Sequence, residues 1–103
     1  MGSYQGHIWS SGATVPVVTA FNIDGQGVVR AKYQVSEING IVDGALKDCR
    51  ESGMREMKCK WEGAYGRSTL KLTFSEDYRQ FDGLWRIEGK QEDSPWNGLK
   101  QAP

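Results

Sequence analysis

At 103 residues the chain has room for one hydrophobic core and not two. Hydrophobic residues at 38%, with four Trp, four Tyr and three Phe, exclude a disordered chain, and a formal net charge of zero lacks the basic surplus of a nucleic-acid binder. Thirteen Gly against three Pro point instead to many tight turns.

Met1-Gly2-Ser3 reads as a non-native leader remnant, which leaves residues 4–101 as a single all-β domain. Tyr4–Ser10 is the first strand and ends at a Ser10-Ser11-Gly12 turn. Val15–Ile23 follows, with Val15, Val17, Thr19, Phe21 and Ile23 on one face, up to the turn Asp24-Gly25-Gln26-Gly27. Val28–Ser36 sets Val29, Ala31, Tyr33 and Val35 against Arg30, Lys32 and Gln34, the period of two of a half-buried strand. Asn39-Gly40 is a hairpin turn.

Ile41–Arg50 is the next strand, but Asp43 and Lys47 share parity with Ile41 and Ala45. A bulge near Gly44 repairs the pattern by bringing Leu46 inward. After a Ser52-Gly53 turn, Arg55–Tyr65 alternates Met57, Cys59 and Trp61 with Lys58, Lys60 and Glu62. Gly66 and Arg67 turn the chain into Leu70, Leu72 and Phe74. Glu76–Arg79 is a polar turn, Phe81, Gly83, Trp85 and Ile87 share a face, and Trp96–Gln101 is the last strand.

No dozen-residue window keeps a helical period, and Gly interrupts nearly every candidate. Eight strands on short connections imply an antiparallel meander. Closure into an up-and-down barrel removes both unpaired edges; the rival is a two-layer β-sandwich.

This pattern resembles the avidin and lipocalin group of up-and-down barrels in its Gly6–Trp9 strand, Asp24-Gly25 turn, Tyr33, Gly83-Leu84-Trp85 and Trp96-Asn97-Gly98. The stretch from Cys49 to Gly98 also resembles small uncharacterised exported bacterial β-domains. There a Cys pair precedes a Trp, a Tyr-Gly turn, a strand like 70–75 and a closing Pro-Trp-Asn-Gly. That resemblance implies export to the periplasm or beyond, in some cases as a lipoprotein with its signal removed, and carries no assigned activity.

Cys49 and Cys59 flank the turn near Gly53, where a hairpin sets them opposite each other at disulfide distance. The other reading is two reduced core thiols. Metal binding is not expected from two Cys and a distant His7, and no nucleophile accompanies His7 for catalysis. Glu76-Asp77 and Glu92-Asp93 read as solvated turns. No phosphate loop, cofactor motif or membrane-length apolar run is present.

Residues 1–23 carry no charged side chain. By contrast, 47–71 hold seven basic and four acidic residues, and 76–93 hold six acidic and three basic, an alternation expected of a solvated surface. Trp9, Tyr33, Trp61, Phe74 and Trp85 are expected to point inward. An oligonucleotide site would need these rings on the same face as Lys58, Lys60 and Lys71, and alternation puts them on opposite faces.

Two functional readings stay open, neither of them enzymatic. One is a binding module that holds a small apolar ligand in a lumen walled by Trp9, Tyr33, Trp61 and Trp85. The other is a protein-interaction or inhibitor module of the cell envelope, acting through its turns or a strand edge.

Overall fold

The computed structural model describes residues 2–10, 12–38, 40–63, 66–86, 89 and 92–101; the expectations made at Met1, Ser11, Asn39, Tyr65 and Ile87 lie outside them. Eight strands follow in chain order: β1 (Ser3–Ser10), β2 (Ala13–Ile23), β3 (Val29–Glu37), β4 (Gly40–Gly53), β5 (Glu56–Gly63), β6 (Gly66–Phe74), β7 (Gln80–Arg86) and β8 (Asp93–Lys100). Each pairs antiparallel with the next and β8 returns to β1, so the meander is a closed barrel and not a sandwich. No helix among the described residues is long and apolar enough to cross a membrane.

Alternation decides which side chains fill the barrel. Val17, Thr19 and Phe21 of β2, Ala31, Tyr33 and Val35 of β3, Met57, Cys59 and Trp61 of β5, and Leu70, Leu72 and Phe74 of β6 are all buried, as their parity predicts. Ile23 leaves this set at the end of its strand, where it is exposed. Gly66 and Arg67 do not turn the chain; they are already paired with Gly63 and Glu62, and β6 starts at Gly66. Likewise the β4–β5 turn falls at Met54 and Arg55, one step beyond Ser52-Gly53, because Gly53 still pairs with Glu56.

β4 corrects the expected bulge. Val42, Gly44 and Leu46 face inward and Ile41 outward at 67% exposure, so no irregularity is needed near Gly44. The extra residue comes later. Ala31 faces Leu46 while Val29 faces Cys49, and on the other side Lys47 faces Lys60 while Arg50 faces Lys58. Asp48, at φ 51°, absorbs the insertion and returns Cys49 to the interior. There Cys49 and Cys59 form the expected disulfide, with Cα atoms 4.0 Å apart.

Some glycines on the inner face are places where an aromatic side chain lies against the wall. Tyr33 stands directly opposite Gly44, which stands opposite Gly63; a methyl group on Gly44 would collide with the Tyr33 ring and one on Gly63 with its hydroxyl. At the seam, β1 and β8 pair through Tyr4 with Lys100, Gln5 with Leu99 and Ile8 with Trp96. Between those pairs the His7 N–H donates to Asn97 Oδ1 at 3.2 Å. The Ser3 carbonyl takes part as well, accepting from the Gln101 N–H, while on the other side the Gly2 carbonyl accepts from the Phe21 N–H of β2, each at 2.9 Å. Main-chain ladders need only backbone groups, whatever the side chain.

Candidate functional site

The interior divides into two aromatic layers. At one end Tyr4, Phe21, Phe74 and Phe81 meet with ring centroids 5.3–6.0 Å apart, mostly edge to face. Tyr78 covers this layer: its ring lies 5.4 Å from Phe74 and its carbonyl accepts from Tyr4 Oη at 2.6 Å. Burial, and secondarily the charge of Asp77, push the Tyr4 hydroxyl above its ordinary pKa.

At the other end stand Tyr33, Trp61, Trp85 and Trp96, with centroid separations of 4.8 Å for Tyr33–Trp96, 5.2 Å for Trp61–Trp85 and 6.4 Å for Trp85–Trp96. Trp61 Nε1 donates to the Arg86 carbonyl at 2.8 Å and Trp96 Nε1 to Thr19 Oγ1 at 3.1 Å. Tyr33 Oη reaches the Glu62 carbonyl only at 3.4 Å, and burial pushes its pKa up to about 12. Trp85 Nε1 is buried with no partner among the described residues. These rings, with Ile8, Val35 and Val42, line a small cavity of about 20 Å³.

Three of the four expected lumen walls, Tyr33, Trp61 and Trp85, therefore do converge, and Phe74 is buried in the opposite layer. Trp9 does not. It is 40% exposed on the outer surface, because Tyr4, Gly6 and Ile8 hold the inner parity of β1. A methyl group on Gly6 would strike the Asn97 carbonyl, so this position admits no side chain. Trp96 takes the place expected of Trp9. Its signal was present in the sequence: Trp96 and Gly98 alternate with Pro95, Asn97 and Leu99, as Phe81 and Gly83 alternate with Asp82 and Leu84. The cavity among these rings, at about 20 Å³, falls far below the roughly 300 Å³ at which ligand pockets begin.

The outer surface also divides in two. On β4, β5 and β6, Lys47 stands opposite Lys60, Arg50 opposite Lys58, and Lys58 opposite Lys71. Carboxylates relieve these like-charge rows: Lys47–Glu62 at 3.4 Å, Lys60–Asp48 at 3.8 Å and Lys71–Glu56 at 3.5 Å. These lysines lie on the face opposite the rings, as expected.

Beyond Asp93, which opens β8 and pairs with Arg86, the outward positions of β8, β1 and β2 read Pro95, Asn97, Leu99; Gln5, His7, Trp9; and Thr14, Pro16, Val18, Ala20. None carries a carboxylate, a lysine or an arginine. Leu99 is 60% exposed, and Leu84 of β7 continues the apolar surface at 50%. A shallow groove of about 710 Å³ follows the seam, lined by Gln5, His7, Pro16, Val18, Asn97 and Leu99 among others, with Asp82 and Lys100 its charged residues.

His7 belongs to this wall, exposed, with its main-chain N–H engaged by Asn97. The carboxylate pairs sit at opposite ends of the barrel. Asp77 accepts from Ser75 Oγ and from the Arg79 N–H in the β6–β7 turn, whereas Asp93 pairs with Arg86 at 3.0 Å at the start of β8. Among the described residues no three His, Cys, Asp or Glu side chains gather as metal ligands. The chain matches no protein-family model and no curated protein sequence.

Proposed function

We propose that this protein is a non-enzymatic, exported protein-binding module that docks its partner on the uncharged wall formed by β8, β1 and β2. The observation that carries this reading is the groove along the uncharged outward positions of β8, β1 and β2, where Trp9 and Leu99 are exposed and Leu84 of the neighbouring β7 extends the apolar surface, with Asp82 and Lys100 as the charged residues of its lining. A partner of ordinary interface size covers about 800 Å². That is roughly an eighth of the 6810 Å² total surface, less than three strands of eight present. Both edges are consumed in closing the barrel, so the partner meets side chains on a face and not an open strand edge. The Cys49–Cys59 disulfide supports an oxidising compartment, the periplasm or the exterior.

The test places a photo-cross-linking residue at Leu99 and, separately, at Lys58 on the charged wall, and identifies adducts formed in the native compartment. A discrete protein adduct from position 99 alone, lost when Trp9→Lys is added while the melting temperature is unchanged, supports the reading. Identical adducts from both positions, or none from position 99, would overturn it.

A further inference from the structure

We infer that the indole end of the barrel is a binding site for one neutral hydrogen-bond acceptor of water size, a single water molecule, held by Trp85 and Tyr33. Three observations on separate groups converge there. The Trp85 side chain is 97% buried by its 3% exposure, and its Nε1 has no acceptor among the described residues. A buried N–H left in that condition is costly, so an acceptor is required at the ring. The same ring is one wall of a cavity of about 20 Å³, above the roughly 10–15 Å³ that one water needs.

Tyr33 Oη supplies the second partner. The Tyr33 side chain lines the same cavity, and the donation of its Oη to the Glu62 carbonyl is long at 3.4 Å, which leaves that oxygen able to accept. The indoles of Trp61 and Trp96 do not compete, because each already donates to a protein oxygen.

The lining chooses among occupants of this size. An apolar atom would fill the space without satisfying the N–H. A halide would satisfy it, but no Lys, Arg or His lines the cavity, and a desolvated anion without a counter-charge is strongly disfavoured. Water accepts from Trp85 Nε1 and donates to Tyr33 Oη at no charge cost. It follows that the aromatic cluster at this end has a polar centre, unlike the layer at the other end.

Solution NMR on the intact, oxidised protein tests this directly. One of the four indole N–H signals is lost in Trp85→Phe and so assigned; in the wild type that proton should show a cross-peak to water of the sign given by a tightly held molecule. If Trp85→Phe does not fold, selective ¹⁵N-indole labelling with contacts to the assigned Trp61 ring makes the assignment instead. An N–H with no water contact overturns the inference. A crystal grown with bromide completes the test. A single water within about 3.2 Å of Trp85 Nε1 supports it, while an anomalous bromide peak at that position, or an empty cavity, overturns it.

Discussion

The two ends of this barrel are built from the same kind of side chain and reach opposite outcomes. Phenyl rings at the Tyr4 end interlock and are covered by Tyr78, whose own positive φ of 57° is held by its ring contact with Phe74 and its hydrogen bond from Tyr4. Nearby turns close on side-chain acceptors: Asp24 takes the N–H groups of Gln26 and Val28, and Asp77 that of Arg79. The indole end carries four ring donors, each needing an acceptor, and among the described residues that need is met well only for Trp61 and Trp96. Indoles and phenols fill space as phenyl rings do, but each adds a polar atom whose direction must also be matched. A small cavity with an unmatched donor is the result.

The comparison breaks most visibly if the phenyl layer is opened. Phe81→Ala should destabilise the protein by about 3–5 kcal/mol, measured by urea unfolding, because the ring is buried on all sides and covers Gly98 directly opposite it. A smaller loss would mean that Tyr4 and Phe74 collapse into the gap.

Reduction of the disulfide acts on the same half of the barrel. The ten-residue separation of Cys49 and Cys59 gives a short closed loop, so reduction should cost about 2–3 kcal/mol, read as a fall in melting temperature with and without reductant. At the indole end two matched substitutions sharpen the contrast. Trp61→Phe orphans the Arg86 carbonyl and should cost about 1–2 kcal/mol beyond the change in ring size. Trp85→Phe removes a donor that has no acceptor among the described residues and should cost measurably less. Equal losses would show that the two indoles are equivalent, against the observed bonding.

The smallest effects are those of pH. The Tyr33 hydroxyl has a folded pKa of about 12, above the ordinary value of 10.0. The folded protein then holds a proton that the unfolded chain releases, so stability is full below pH 10 and falls as pH rises towards 12. Tyr33→Phe should flatten that decline in a urea series. Asp24 and Asp77 have the opposite sign. Hydrogen bonds hold both carboxyls below their usual range, from the Val28 and Gln26 N–H groups and from Ser75 and Arg79 respectively. Their contribution is present above pH 3.8 and is lost as pH falls through the lowered values, and Asp77→Asn should weaken that acid dependence.

Much of this molecule is legible in one dimension. Alternation in Val29–Val35, Met57–Trp61 and Leu70–Phe74 assigns each inner face correctly, since strand side chains can only point one way or the other. Turn residues set the meander, and the placement of Cys49 and Cys59 about one turn sets their pairing. The uncharged first 23 residues already contain most of the candidate docking wall, although nothing in them says which side chains face out.

That choice belongs to the tertiary structure. Trp9 is excluded from the core because Gly6, two strand positions from Ile8 on the inner side, is the residue that must pass against the Asn97 main chain. Leu46 turns inward without a bulge at Gly44 because Tyr33 lies across that glycine, and Asp48 takes the extra residue only where Cys49 must return to Cys59. Periodicity defines two faces for every strand. Which face is inside depends on contacts with strands distant in sequence, and so do the cavity at Trp85 and the wall across the β8–β1 seam.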